Sequence, residues 1–125
     1  MSPGLKKTLT FEVGEERTAA HLGSGAVKVL ATPSMILFME IAARTLLDEH
    51  LPEGYSSVGT RVDVRHLAAA PLGAQVSARA AVERVDGNRV QLAVECRYGE
   101  VLIGQGQHER FIIDVERFLK RARAG

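Results

Sequence analysis

Three polar side chains in this sequence have the types and settings needed for chemistry. Glu40 interrupts the apolar segment 35–43 (MILFMEIAA), where an unpaired carboxylate is costly and tends to find a partner. His66 ends an alternating segment on the same side as its valines, so its imidazole is expected to point inward. Thr32 precedes Pro33 at the start of a predicted helix, where free amides and the helix dipole can bind an oxyanion. These residue types suit acid–base or nucleophilic catalysis.

Each of the three residues also has a purely structural interpretation. Glu40 can form an ion pair, His66 can be a hydrogen-bonded core histidine, and Thr32 can simply cap the helix. Spacing adds a constraint, because eight residues of helix separate Thr32 from Glu40 by about 12 Å. One small site can use both only if a long side chain such as that of His66 bridges them, or if they come from different subunits.

The predicted helix covers residues 33–50, with Thr32 at its N-cap and Pro33 as its first residue. Pro52 ends it, because the residue before a proline avoids helical geometry. The first half is apolar all round except for Glu40, a pattern typical of a helix buried on most sides.

Five strands are predicted, at residues 5–13, 57–67, 75–85, 89–98 and 101–113. The second strand is predicted to place on one face Val58, Thr60, Val62, Val64 and His66. The fourth is predicted to face inward through Val90, Leu92, Val94, Cys96 and Tyr98. Gly104 and Gly106 inside the last strand indicate a bulge or a close approach of another group. A short basic helix, capped by Asp114, is predicted over residues 115–122.

One apolar helix followed by a meander of strands indicates an α+β fold in a single domain, residues 1–125. Because the helix is too apolar for one flat sheet face, we expect the sheet to curl around it. A chain of this length has few ways to close such a sheet, so a second subunit is expected to complete it.

Composition excludes several classes of protein. Sixteen basic and fifteen acidic side chains leave a net charge of +1, which argues against a dedicated nucleic-acid binder. The single cysteine, Cys96, excludes an intramolecular disulfide and a multi-cysteine zinc site, and it is predicted to lie in the core. No metal-binding motif, membrane-spanning run or signal peptide is found, so we expect no metal and a cytoplasmic protein.

Several segments together resemble the hotdog-fold thioesterases of the fluoroacetyl-CoA thioesterase type. They are residues 29–35 (VLATPSM), 39–42 (MEIA), 57–73 (SVGTRVDVRHLAAAPLG) and 104–110 (GQGQHER). The resemblance extends over about residues 5–120. It implies an antiparallel sheet wrapped around one long helix, and a homodimer or dimer of dimers with its active site between subunits.

The resemblance also implies a catalytic group of Thr32, Glu40 and His66. The substrate is then an acyl-coenzyme A, the reaction is thioester hydrolysis, and no separate cofactor is needed. Substrate contacts are expected from Pro33, Ser34, Gly59 and Arg110. The coenzyme A phosphates are expected to meet basic side chains chosen from Arg110, Arg117, Lys120 and Arg121.

One segment departs from the family pattern. The fluoroacetyl-specific enzyme has phenylalanines between its first strand and central helix that form a lid over the acyl group. The matching residues here, 21–28 (HLGSGAVK), contain no aromatic side chain. We therefore predict no strong preference for fluoroacetyl-CoA.

The chemical roles stay open at this stage. Thr32 is a hydrogen-bond donor or the nucleophile, Glu40 is the base or the nucleophile, and His66 orients its partner and carries the proton. Two other functions fit the same residues. One is a hydratase or dehydratase on acyl thioesters, which would use His66 with Glu40, and the other is a non-catalytic acyl-CoA-binding protein.

Overall fold

The computed structural model describes residues 1–125. Its elements are β1 (Lys6–Glu12), a 3₁₀ turn (Glu15–Arg17), α1 (Ala19–Leu22), α2 (Thr32–Asp48), β2 (Tyr55–His66), β3 (Gln75–Asp86), β4 (Arg89–Tyr98), β5 (Val101–Asp114) and α3 (Val115–Arg123). The five strands form one antiparallel sheet in the order β1-β3-β4-β5-β2. The predicted α+β class is confirmed, and β2 lies at an edge of the sheet.

The core lies between α2 and one face of the sheet, and α2 contacts β1, β2, β3 and β4. Met35, Phe38 and Leu47 on α2 are at most 1% exposed. The alternate residues of β3 and β4 that face them are also buried, namely Val76, Ala78, Ala80, Val82, Val90, Leu92, Val94 and Cys96. Burial of each large apolar side chain contributes roughly 1.5–3 kcal/mol. The predicted inward faces of β3 and β4 are therefore confirmed, except at Tyr98.

Tyr98 was predicted to face inward but is 40% exposed. The pairing of β4 with β5 shifts register between Cys96 and Arg97, two residues before the strand ends. The alternation that holds through Cys96 therefore does not extend to the last residue of the strand.

The side of α2 that faces away from the sheet is partly open. Leu37 is 37% exposed, and Ile36, Glu40 and Ile41 are half-buried. The prediction of burial on most sides is therefore wrong for this side. One chain encloses a core of 20 buried apolar residues by itself, and the strip around Leu37 is what a second copy would have left to cover.

A register shift between Gly59 and Arg61 divides β2 into two parts. Gly59 faces the helix before the shift, opposite Arg110, and His66 faces it after the shift, opposite Gly104. Val58 and Thr60 therefore point away from the helix, and their predicted place on the face of His66 is wrong. An inserted residue in one strand of an antiparallel pair reverses the alternation beyond it, which periodicity alone does not show.

The two interior glycines of β5 lie where another group comes close, as predicted. A Cβ on Gly104 would lie 2.5 Å from the Met35 sulfur of α2. A Cβ on Gly106 would overlap the backbone of Asp63 in β2. Both positions therefore require a residue without a side chain.

α3 follows β5 directly, close to the predicted limits. The Asp114 side chain accepts a hydrogen bond of 3.2 Å from the Arg117 amide, the predicted N-cap. α3 has no buried residue. None of the helices in the chain combines the length and apolar character needed to cross a bilayer.

Candidate active site

Thr32 and His66 form a direct side-chain hydrogen bond at the N-terminus of α2. The distance from Thr32 Oγ1 to His66 Nδ1 is 2.7 Å. When Nδ1 is unprotonated, the hydroxyl donates to it, which is the geometry of a nucleophile with its general base. The pair is open to solvent, so a substrate can reach both groups.

The structure corrects the predicted capping role of Thr32. Ala31, with extended backbone angles (φ −72°, ψ 145°), occupies the N-cap, and no side chain caps this helix. Thr32 is instead the first helical residue, and its hydroxyl is bonded to His66. An ordinary cap therefore does not account for this threonine. Because the first amides of a helix lack intrahelical partners, Thr32 also lies beside free donors.

Glu40 lies opposite a buried arginine on the inner face of β5. Its Oε2 is 3.6 Å from Arg110 Nη1 and 3.9 Å from His108 Nε2. The side chain is 36% exposed, and its carboxylate accepts no hydrogen bond within the chain. The ion-pair interpretation of Glu40 therefore holds as to partner, yet the carboxylate keeps free lone pairs toward solvent.

Arg110 is held in place by three hydrogen bonds. Its Nε donates to Ser57 Oγ at 2.7 Å, its Nη2 donates to the Ser57 carbonyl at 2.9 Å, and its Nη1 donates to His108 Nε2 at 3.1 Å. Burial lowers the pKa of Arg110, an effect that the Glu40 and Asp48 carboxylates oppose. The guanidinium stays charged, because its ordinary pKa is above 12. A fixed positive charge therefore faces the Glu40 carboxylate.

His108 is the neutral member of this group. Burial lowers the pKa of His108, and the Arg110 charge lowers it further. Its Nδ1 is 2.8 Å from the Arg61 carbonyl, an acceptor, so Nδ1 carries the proton and Nε2 accepts from Arg110. The contact between His108 and Glu40 is thus not an ion pair, and Arg110 is the residue that balances the carboxylate.

The buried position of Arg110 corrects one prediction. The residue is 5% exposed and lies on the inner face of the sheet, so it is not at a surface where it can meet a coenzyme A phosphate. Arg117, Lys120 and Arg121, the other candidates, are exposed on α3.

The structure places the remaining expected substrate contacts as follows. Pro33 is exposed beside Thr32, Ser34 is buried beneath it, and Gly59 lies directly against the Glu40 carboxylate. Their contacts with substrate stay predictions.

The three predicted catalytic residues therefore form two groups rather than one. Thr32 and His66 are together, whereas Glu40 is eight residues along α2 with Arg110 and His108. His66 does not bridge them, because its Nδ1 is engaged by Thr32. Neither of the two larger clefts in the chain, of about 470 and 620 Å³, is lined by any of the three.

Two other chemical possibilities were tested on the structure. Burial raises the pKa of the Cys96 thiol to about 11, which suits the predicted core role and not a nucleophile. No group of three or more His, Cys, Asp or Glu side chains is arranged to hold a metal ion.

Sequence reasoning did not find the partnership of Ser57, His108 and Arg110 with Glu40. The alternation in 104–110 places His108 and Arg110 on the face of the two glycines, which was a usable signal. Their contact with Glu40 depends on the pairing of β5 with β2, which that signal does not contain.

Comparisons with known proteins agree along the whole chain. The sequence model described as fluoroacetyl-CoA-specific thioesterase matches residues 13–116. The fluoroacetyl-CoA thioesterase of Streptantibioticus cattleyicolor is 33% identical over 98% of this chain and 93% of its own length.

Two solved structures show the same fold. One is a phenylalanine-to-alanine variant of the fluoroacetyl-CoA-specific thioesterase in complex with fluoroacetate and CoA. It is 35% identical with a TM-score of 0.88, covering 94% of this chain and 99% of that one. The other is a hot-dog-like protein from Thermanaerovibrio acidaminovorans, 29% identical with a TM-score of 0.90, covering 99% and 92%. The chain therefore has the hotdog fold and belongs to the fluoroacetyl-CoA-specific thioesterase family.

Proposed function

We propose that the protein is an acyl-CoA thioesterase that hydrolyses small or medium acyl groups at a site shared by two subunits of a homodimer. The observation that carries the proposal is the 2.7 Å hydrogen bond from Thr32 to His66 at the start of α2. Family membership supports hydrolysis of a CoA thioester. The relative crystallised with fluoroacetate and CoA supports an acyl-CoA as the ligand.

In the proposed reaction, the Thr32 oxygen attacks the thioester carbonyl carbon as its proton passes to His66. The amides at the start of α2 stabilise the oxyanion that forms. The C–S bond then breaks and coenzyme A leaves as a thiolate, which needs little help from a general acid. Water attacks the resulting Thr32 ester and restores the hydroxyl, with His66 transferring the proton. Water is the only other reactant, so no cofactor is required.

The Glu40 carboxylate of the second subunit is proposed to hold and activate that water. Glu40 has free lone pairs and a fixed counter-charge in Arg110, so it can accept a hydrogen bond without leaving its position. The partner is needed because about 12 Å of helix separates Glu40 from Thr32 in one chain. The exposed strip around Leu37 gives α2 an apolar surface beside which the second copy can pack.

The hydratase alternative would use His66 together with Glu40. His66 is bonded to Thr32 instead, so hydrolysis is preferred. The proposed location is the cytoplasm, since the one cysteine is buried and no disulfide is possible, as is usual in reducing compartments.

The decisive experiment mixes two inactive variants, Thr32→Ala and Glu40→Ala. In a shared site, each mixed dimer contains one intact Thr32 and Glu40 pair, so co-expression should restore about a quarter of wild-type activity for random pairing. Thiol release from a panel of acyl-CoAs of different chain length measures it. If each variant is inactive and the mixture is inactive as well, the shared site is refuted. If Glu40→Ala alone retains near-wild-type turnover, the role of Glu40 is refuted.

A further inference from the structure

A cleft of about 620 Å³ lies on the outer side of the sheet, where α3 folds back beside β5 and β2. It is distinct from the Thr32 and Glu40 groups, which lie on the inner side. Its volume is in the range of small-molecule sites. Nothing described so far gives it a role.

The lining of this cleft combines aromatic and basic side chains. Three of the six aromatic residues of the chain line it, and each is well exposed: Tyr55 at 46%, Phe111 at 39% and Phe118 at 40%. Exposed aromatic rings gathered in one cleft mark a binding surface, and they are the side chains on which a nucleobase stacks.

Two arginines lie at the same cleft, Arg117 and Arg121, one helical turn apart on α3. Neither forms an ion pair within the chain, whereas neighbouring Lys120 lies 3.8 Å from Glu116. The acidic group in the lining, Asp114, accepts a hydrogen bond from the Arg117 amide as the helix cap. Two free guanidinium groups therefore face the cleft, and guanidinium is well matched to phosphate.

Charge is concentrated at this end of the chain. Residues 115–125 carry four basic side chains and one acidic side chain, a net charge of +3, although the whole chain has a net charge of only +1. A ligand for the cleft should therefore carry several negative charges together with an aromatic ring.

From these features we infer that the cleft binds the adenosine 3′,5′-diphosphate end of coenzyme A. The adenine would stack on the aromatic rings, and the phosphates would meet Arg117 and Arg121. This inference rests on the proposed function, because it specifies how that substrate is held.

The cleft also has the right position relative to the proposed chemistry. Val58 and Thr60 line it, and Gly59 between them lies on the opposite side of β2 against the Glu40 carboxylate. β2 is an edge strand of the sheet. A flexible pantetheine arm that passes over this edge at Gly59 connects the cleft with the inner side, where the thioester would react.

The test compares substrates with and without the nucleotide. The double variant Arg117→Ala, Arg121→Ala should raise KM at least about tenfold for the best acyl-CoA, with kcat little changed, because two charge-assisted contacts are lost. The same variant should not change kcat/KM for the N-acetylcysteamine thioester of the same acyl group, which lacks the nucleotide. Arg123→Ala, on the same helix but outside the cleft, is the matched control. α3 has no buried residue, so none of these changes threatens the fold.

Direct binding separates this inference from the proposed hydrolysis. Calorimetric titration with adenosine 3′,5′-diphosphate should show binding to the wild type and to Arg123→Ala, and a loss of binding in the double variant. That result supports the cleft even if no thioester is hydrolysed, which would refute the proposed function alone. If hydrolysis is normal and KM for acyl-CoA is unchanged in the double variant, the cleft assignment is overturned. Binding of the wild type to phosphatidylglycerol vesicles, without binding of the nucleotide, would equally overturn it.

Discussion

Gly59→Ala tests whether the exact position of the Glu40 carboxylate controls turnover. A Cβ added at Gly59 would lie 2.6 Å from Glu40 Oε2 and 3.1 Å from His108 Cε1. Ordinary contact begins at 3.4 Å, so the carboxylate must move by about 0.8 Å. Gly59 does not have a positive φ, so alanine causes no backbone strain there.

The displaced group is the end of a flexible, half-exposed side chain, so the fold should tolerate the change. We expect the free energy of unfolding to change by no more than about 1 kcal/mol. Turnover should suffer more, because a misplacement of about 1 Å in a catalytic group can cost roughly 100-fold in rate. Urea unfolding and kcat by thiol release are the two measurements.

A double-mutant cycle with Glu40→Ala identifies the cause. If alanine at position 59 acts by displacing Glu40, it should alter single-turnover rates less than about twofold when Glu40 is already absent. If Gly59 only makes room for substrate, KM rises and the loss is the same in both backgrounds. A kcat within a factor of about two of wild type for Gly59→Ala would refute the reasoning from geometry.

Three further predictions follow from other parts of the molecule. Burial lowers the pKa of His108 from 6.5, so as pH falls through 6.5 the unfolded chain takes up the proton first. Stability should therefore decrease between about pH 7.5 and pH 5.5, less so in His108→Gln, and urea unfolding that shows no such difference would contradict this. Gly106→Ala should destabilise the fold by about 2 kcal/mol or more, because its Cβ meets the immovable backbone of Asp63; a normal unfolding midpoint would count against it. Fluoroacetyl-CoA and acetyl-CoA should have similar kcat/KM values when measured side by side, since residues 21–28 contain no aromatic lid, and a large preference for the fluorinated substrate would disprove the prediction.

Local patterns in the sequence were sufficient for most of the secondary structure. The predicted limits of β4 match the structure, α2 begins within one residue of its predicted start, and α3 is capped by the expected Asp114. These features depend on neighbours in sequence, such as alternation, a proline near a helix start and a capping carboxylate. The family resemblance then supplied the closed arrangement of the sheet around α2, which periodicity alone only suggested.

The missed features depend on contacts between distant segments. The inward position of Gly59 follows from a register shift in β2, which no alternating pattern records. The partners of Glu40 come from β5, about 70 residues along the chain, and they meet it only through the pairing of β5 with β2. Thr32 was placed at the cap because its type suits a cap, although its hydroxyl is taken by His66.

The division of the polar residues into two groups has a consequence for how the protein responds to dilution. Each chain buries its own core of 20 residues, so a separated protomer should stay folded. In the proposed dimer that protomer nevertheless holds only half of each reaction centre. Specific activity should therefore fall with the square-law dissociation of the dimer, while circular dichroism remains constant. Expression level alone would then regulate the enzyme, because doubling the amount of chain more than doubles hydrolysis when the concentration is near the dissociation constant.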